Sequence, residues 1–132
     1  PAGRTPRRAV QTVARLWRGV ADRVITMSPR RHDRLLAGTS HLPHLLAYGL
    51  AQAAAAPRTH APRSFLEMTR AAKSDPALWD DIFLANRDEL LAAADRFDRR
   101  WRALRRRIAR GDRAGLLRLL RAAQSARQSI DG

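Results

Sequence analysis

The sequence predicts an all-α chain, and three observations predict it. Helix-start pairs, in which a capping side chain precedes proline, recur at Thr5-Pro6, Ser28-Pro29 and Asp75-Pro76. Apolar residues after each pair return at three- and four-residue spacing. No alternating run pairs with another across a turn and no internal repeat is visible, so no strand pairing is expected. The 132 residues suit one unit with a modest core.

Taken in order, the first helix is expected to run to about Gly19, with Val10, Val13, Leu16 and Trp17 at helical spacing. Residues 24–27 form an apolar connector that suits an extended segment. From Ser28 a second helix is expected to about Ala55, kinked at Pro43, because proline lacks the N–H and its ring crowds the preceding turn. Residues 57–62 read as the one clear loop. Ser64 and Glu67 stand at capping-box spacing and open a short helix through Phe65, Met68 and Ala72. From Asp75 the longest helix is expected, because Phe83, Leu90, Ala94, Phe97, Trp101, Leu104 and Ile108 keep one repeat until Gly111. It would span about 35 residues, or roughly 50 Å. A last helix carries Leu116, Leu117, Leu119 and Leu120. The total is about five helices. One so long outruns a small domain, and its apolar stripe is expected to dimerise.

The net charge is +14 and nearly all of the positive side is arginine, Lys73 being the one lysine. Such a balance raises nucleic acid, acidic membrane surface and anionic substrates as partners. The series Arg99, Arg100, Arg102, Arg105, Arg106, Arg107 and Arg110 could track phosphates, but it surrounds an apolar stripe. A solvated helix surface is expected instead, and no nucleic-acid partner. The absence of cysteine excludes disulfides, thiolate zinc sites and cysteine catalysis, and is compatible with a cytoplasmic location. The longest weakly polar stretch, residues 42–56, falls short of the roughly 20 apolar residues of a spanning helix, so no membrane partner is expected. The chain opens at Pro1 without a basic-then-apolar leader, which suits a cut or mature terminus.

Residues 32–50, HDRLLAGTSHLPHLLAYGL, set polar groups into an apolar helix. Residues placed at helical intervals put Asp33, Ala37, Ser40, His41, His44 and Tyr48 on one face, and Leu35, Leu42, Leu46 and Leu50 on the other. Three readings are open: a mutually satisfied core, a metal site or a ligand-pocket wall. His41 and His44 could share a metal with Asp33, but neither His-Glu-x-x-His spacing nor a second carboxylate–histidine pair is present. No strand-turn-helix elbow surrounds Ser40 as a nucleophile. Small residues that leave room, beside groups that donate and accept, favour the pocket wall.

Residues 65–82, FLEMTRAAKSDPALWDDI, hold a second constellation. Arg70 sits among Phe65, Leu66, Met68, Ala71 and Ala72, and a guanidinium so placed needs an anion. A ligand carboxylate and a structural ion pair, for example with Asp33, suit it equally.

Together these two stretches resemble the C-terminal helical domain of prephenate and arogenate dehydrogenases, over nearly the whole of residues 1–132. The resemblance rests on the His-Asp, Ser-His-Leu-Pro-His and Ser-Asp-Pro-x-x-Trp elements at this separation. It implies an enzyme that oxidatively decarboxylates prephenate to 4-hydroxyphenylpyruvate in tyrosine synthesis, or acts on arogenate. It also implies a homodimer, NAD or NADP held mainly by a Rossmann domain not in this chain, and tyrosine as a feedback inhibitor. No catalytic, cofactor-binding or metal residue is expected here, and the segment alone is expected to be inactive. Carried over by position, Arg70 resembles the arginine that grips a substrate carboxylate, and Asp33 the acid that holds this arginine. His44 resembles the histidine that senses substrate or tyrosine, Ser40 and His41 further wall residues, and Trp79 the tryptophan that closes the pocket. Where the family commonly has glycines before the phenylalanine, this chain has Pro62, Arg63 and Ser64, whose side chains crowd that approach. Arg63 offers a second anion contact in their place. The alternatives are a non-catalytic helical dimerisation module and an arginine-rich nucleic-acid-binding protein.

Overall fold

The computed structural model describes residues 3, 5–54 and 60–131; Pro1 and residues 57–59 of the expected loop lie outside them. Seven α-helices follow one another, with no strand among the described residues. They are α1 (Arg7–Arg18), α2 (Pro29–Leu36), α3 (Leu42–Ala54), α4 (Arg63–Met68), α5 (Pro76–Ala85), α6 (Arg87–Ala109) and α7 (Arg113–Asp131). A π turn (Ala37–His41) joins α2 to α3, and a 3-10 turn (Arg70–Lys73) follows α4. The all-α class holds, but two of the expected helices are each broken once.

The first break belongs to Pro43. Its missing N–H and its ring disturb the turn before it, and the backbone answers with a wider turn in which Leu42 N–H reaches back five residues to the Ala37 carbonyl. The second break divides the expected long helix at Asn86, whose backbone (φ −116°, ψ 31°) leaves the helical region. The longest helix is therefore α6, with 23 residues, about 35 Å in length.

Helix starts follow local chemistry, with two corrections. The Ser28 side chain accepts from Arg31 N–H at 3.3 Å, and Asp75 Oδ1 from Ala77 N–H at 3.0 Å. At α1, however, Pro6 itself occupies the cap position and Thr5 makes no capping bond. At α4 the capping box does not form, because the helix starts two residues early, at Arg63 with Pro62 in the cap position, and places Ser64 inside it. Glu67 pairs instead with Arg63 Nε at 2.7 Å.

Two compact units divide the chain, Pro1–Leu90 and Leu91–Gly132, the boundary falling within α6. In the first, Ala37, Ala47, Leu90 and His41 are buried. Tyr48 O–H donates to the Ser74 carbonyl at 2.9 Å and ties α3 to the residues ahead of α5. Arg34 Nε meets Glu89 Oε2 at 3.3 Å and ties α2 to the first turn of α6.

In the second unit the chain reverses at Gly111, which takes φ 61° as glycine can at little cost. Asp112 then accepts from Gly115 N–H at 2.8 Å and from Arg107 at 2.6 Å, linking both helix ends. The Gly115 N–H and the Arg107 guanidinium hold the Asp112 carboxyl below its usual value, so this link is present above ordinary carboxylate pH and weakens as pH falls through the lowered value. A Cβ on Gly115 would overlap the Asp112 carboxylate. Gly115→Ala gains roughly 1 kcal/mol of helix propensity, yet thermal denaturation should show a lower Tm, because the methyl expels the cap; a raised Tm would contradict this.

Candidate functional site

The polar stripe of residues 32–50 faces inward. Ala37, His41 and Ala47 are buried and Asp33, Ser40, His44 and Tyr48 half-buried; of the opposite face Leu35 and Leu50 are exposed, whereas Leu42 and Leu46 are half-buried as well. His41 ends the π turn and His44 stands three residues on in α3, a spacing that turns both toward the same neighbour. That neighbour is Trp79 on α5. His44 stacks on it with ring centroids 3.5 Å apart and planes 17° from parallel, and His41 meets it edge-on at 6.2 Å and 78°. Phe83, one turn further along α5, continues the aromatic wall at 5.4 Å.

Hydrogen bonds hold both imidazoles. His44 Nδ1 lies 3.0 Å from the Ser40 carbonyl, so the π turn positions its own following histidine. His41 Nδ1 lies 3.2 Å from Asn86 Nδ2, which also donates to the Asp33 carbonyl at 2.8 Å. Burial lowers the His41 pKa below the ordinary histidine value of 6.5, opposed in part by the Asp33 charge, so the ring is neutral at pH 7. Asn86 was not among the expected site residues. Its one signal in the sequence is an asparagine interrupting a helical repeat, a residue type that often ends helices.

The expected grouping thus divides. His41, His44, Ser40 and Trp79 come together, and the Asp33 backbone joins them through Asn86. The Asp33 carboxylate does not hold Arg70: Oδ1 lies 3.0 Å from His32 Nδ1. Arg70 is exposed and makes no ion pair among the described residues, because it opens the 3-10 turn just beyond α4 and is not enclosed within a helix. Arg63 is engaged by Glu67. None of the six expected residues lines the cavity of about 510 Å³ between α1 and residues 24–29. Among the described residues no three metal-ligating side chains cluster, and no helix is long and apolar enough to cross a membrane.

These features define a helical domain with an aromatic, imidazole-lined site and, among the described residues, no βα turn that could cradle a dinucleotide. The chain is similar to known proteins in sequence and fold. Residues 28–122 match the family described as "Prephenate dehydrogenase, dimerization domain", and the chain belongs to this family. It is 36% identical to a cyclohexadienyl dehydrogenase of Zymomonas mobilis, over 98% of this chain and 47% of that protein. It is 30% identical to a prephenate dehydrogenase of Bacillus subtilis, over 98% of this chain and 37% of that one. A crystal structure of prephenate dehydrogenase from A. aeolicus, in complex with hydroxyphenyl propionate and NAD+, superposes with a TM-score of 0.88 at 31% identity, covering 98% of this chain and 48% of the other. The chain therefore spans half or less of the length of the relatives it matches.

Trp79→Leu removes the stack while keeping an apolar side chain. We expect a stability loss of about 2 kcal/mol in chemical denaturation and, by NMR, a downfield return of His44 ring protons that the indole shields. Unmoved His44 resonances would rule out the stack.

Proposed function

We propose that this chain is the substrate-binding and dimerisation segment of an enzyme that oxidatively decarboxylates prephenate to 4-hydroxyphenylpyruvate in tyrosine synthesis. The observation that carries the reading is the Trp79–His44–His41 wall in a chain of this family. The A. aeolicus neighbour binds hydroxyphenyl propionate, a flat ring with a carboxylate arm. A stacked indole and imidazole suit the ring, and a planar guanidinium suits the carboxylate.

In this reading Arg70 grips a substrate carboxylate. Its exposure, and the absence of an ion pair to it among the described residues, suit a residue that takes an anion from the ligand. His44, His41 and Ser40 line the ring end, Trp79 closes the site, and Asp33 acts through its backbone. Prephenate is a dianion, so neutralising one carboxylate orients the molecule for reaction elsewhere. Hydride acceptance belongs to NAD or NADP, for which this chain offers no cradle among its described residues; its own residues bind, orient and exclude water. Arogenate, the amino analogue, is an alternative substrate, tyrosine a feedback inhibitor and the cytoplasm the location.

Dimerisation through the helical face is part of the same proposal. Phe97, Trp101 and Ile108 on α6 and Leu117 and Leu120 on α7 are exposed, Trp101 by 49%. Contiguous apolar exposure of this kind is what an interface covers.

Two measurements test the proposal. In the full-length dehydrogenase, Arg70→Ala should raise KM for prephenate about 10- to 100-fold with a smaller change in kcat; an unchanged KM refutes the role of Arg70. Light scattering at micromolar concentration should give twice the chain mass, and a monomeric mass refutes the dimer.

A further inference from the structure

We propose that Asn86 is a positioning residue that holds His41 with Nδ1 bare and Nε2 protonated, so that the Nε2–H is a hydrogen-bond donor to an oxygen of the bound ligand. The ligand half of this statement rests on the proposed function above.

The orientation of the Asn86 amide follows from what faces it. Its terminal atom lies 2.8 Å from the Asp33 carbonyl oxygen, which can only accept, so that atom is the NH2 nitrogen and not the oxygen. An NH2 group carries two hydrogens, and the second faces His41 Nδ1 at 3.2 Å. A nitrogen facing a donor must be the unprotonated one, so the proton of the neutral ring sits on Nε2.

His44 is set the opposite way. Its Nδ1 faces the Ser40 carbonyl at 3.0 Å and must carry a proton, so in the neutral tautomer Nε2 is the acceptor. Two imidazoles against one indole therefore offer one donor and one acceptor nitrogen. Among the described residues no buried side-chain nitrogen or oxygen lacks a partner, and His41 Nε2 makes no hydrogen bond. That nitrogen accordingly reaches the surface, although the residue is only 8% exposed.

The charged and titratable groups around His41 are Asp33 and His32 on α2 and His44 on α3; the α5 residue against it, Trp79, carries none. None of these competes for Nδ1. Asp33 gives its carboxylate to His32 and only its carbonyl to Asn86.

Nitrogen-15 NMR of the histidine rings in this chain tests the positioning, with His41 assigned by its loss in His41→Gln. The expected pattern at neutral pH is an unprotonated Nδ1 in His41 and a protonated Nδ1 in His44. Asn86→Asp turns the donor into an acceptor, and should move the His41 proton to Nδ1 or charge the ring at higher pH while leaving His44 unchanged. Should Asn86→Asp not fold, the unsubstituted protein still decides: a His41 protonated at Nδ1 overturns the assignment. In the full-length dehydrogenase, Asn86→Asp should raise KM for prephenate about tenfold with a smaller change in kcat. A switched proton with an unchanged KM overturns the donor role, whereas failure of the proposed function itself would show as an unchanged KM in Arg70→Ala.

Discussion

One side-chain amide holds the polar interior of the first unit together. Asn86 sits where α5 ends and α6 begins, and its NH2 group bridges the Asp33 carbonyl on α2 and the His41 ring at the end of the π turn. Without it a buried imidazole nitrogen would lack a partner, which costs about 1–3 kcal/mol in a protein interior. Asn86 keeps helical backbone bonds on both sides, its N–H to the Ile82 carbonyl at 3.2 Å and its carbonyl from Leu90 N–H at 3.0 Å, while its side chain serves two other elements.

The π turn makes the complementary adjustment on the other side. Pro43 cannot donate to the hydrogen-bond ladder, and two side chains bond back to carbonyls one turn before them, Thr39 Oγ1 to that of Leu35 at 2.8 Å and His44 Nδ1 to that of Ser40 at 3.0 Å. The second of these bonds holds the imidazole that stacks on Trp79. A core built on alanines at positions 37 and 47 leaves the room these rings occupy.

The charge and the apolar surface have separate explanations. Two arginines of α6 are answered within their own unit, Arg102 by Asp98 and Arg107 by Asp112, and acidic residues open α6 while basic ones close it, as the helix dipole favours. The exposed aromatic and aliphatic side chains of α6 and α7 accompany a match to a domain described by its dimerisation.

The sequence by itself determined the helical class, the starts at Ser28 and Asp75, the stop at Gly111 and the irregularity at Pro43, because capping, proline and glycine act within a few residues of themselves. It also named His41, His44, Ser40 and Trp79 as neighbours, through the resemblance carried by their motifs. It overstated one helix, because an apolar repeat continues through Asn86, where the backbone leaves helical geometry and the side chain bonds Asp33 and His41. The pairing of Asp33 with Arg70 failed for a related reason: His32, one residue from Asp33, takes the carboxylate first. Which polar atom faces which is a question of long-range geometry, separated here by 45 to 53 residues, and only the tertiary structure decided it.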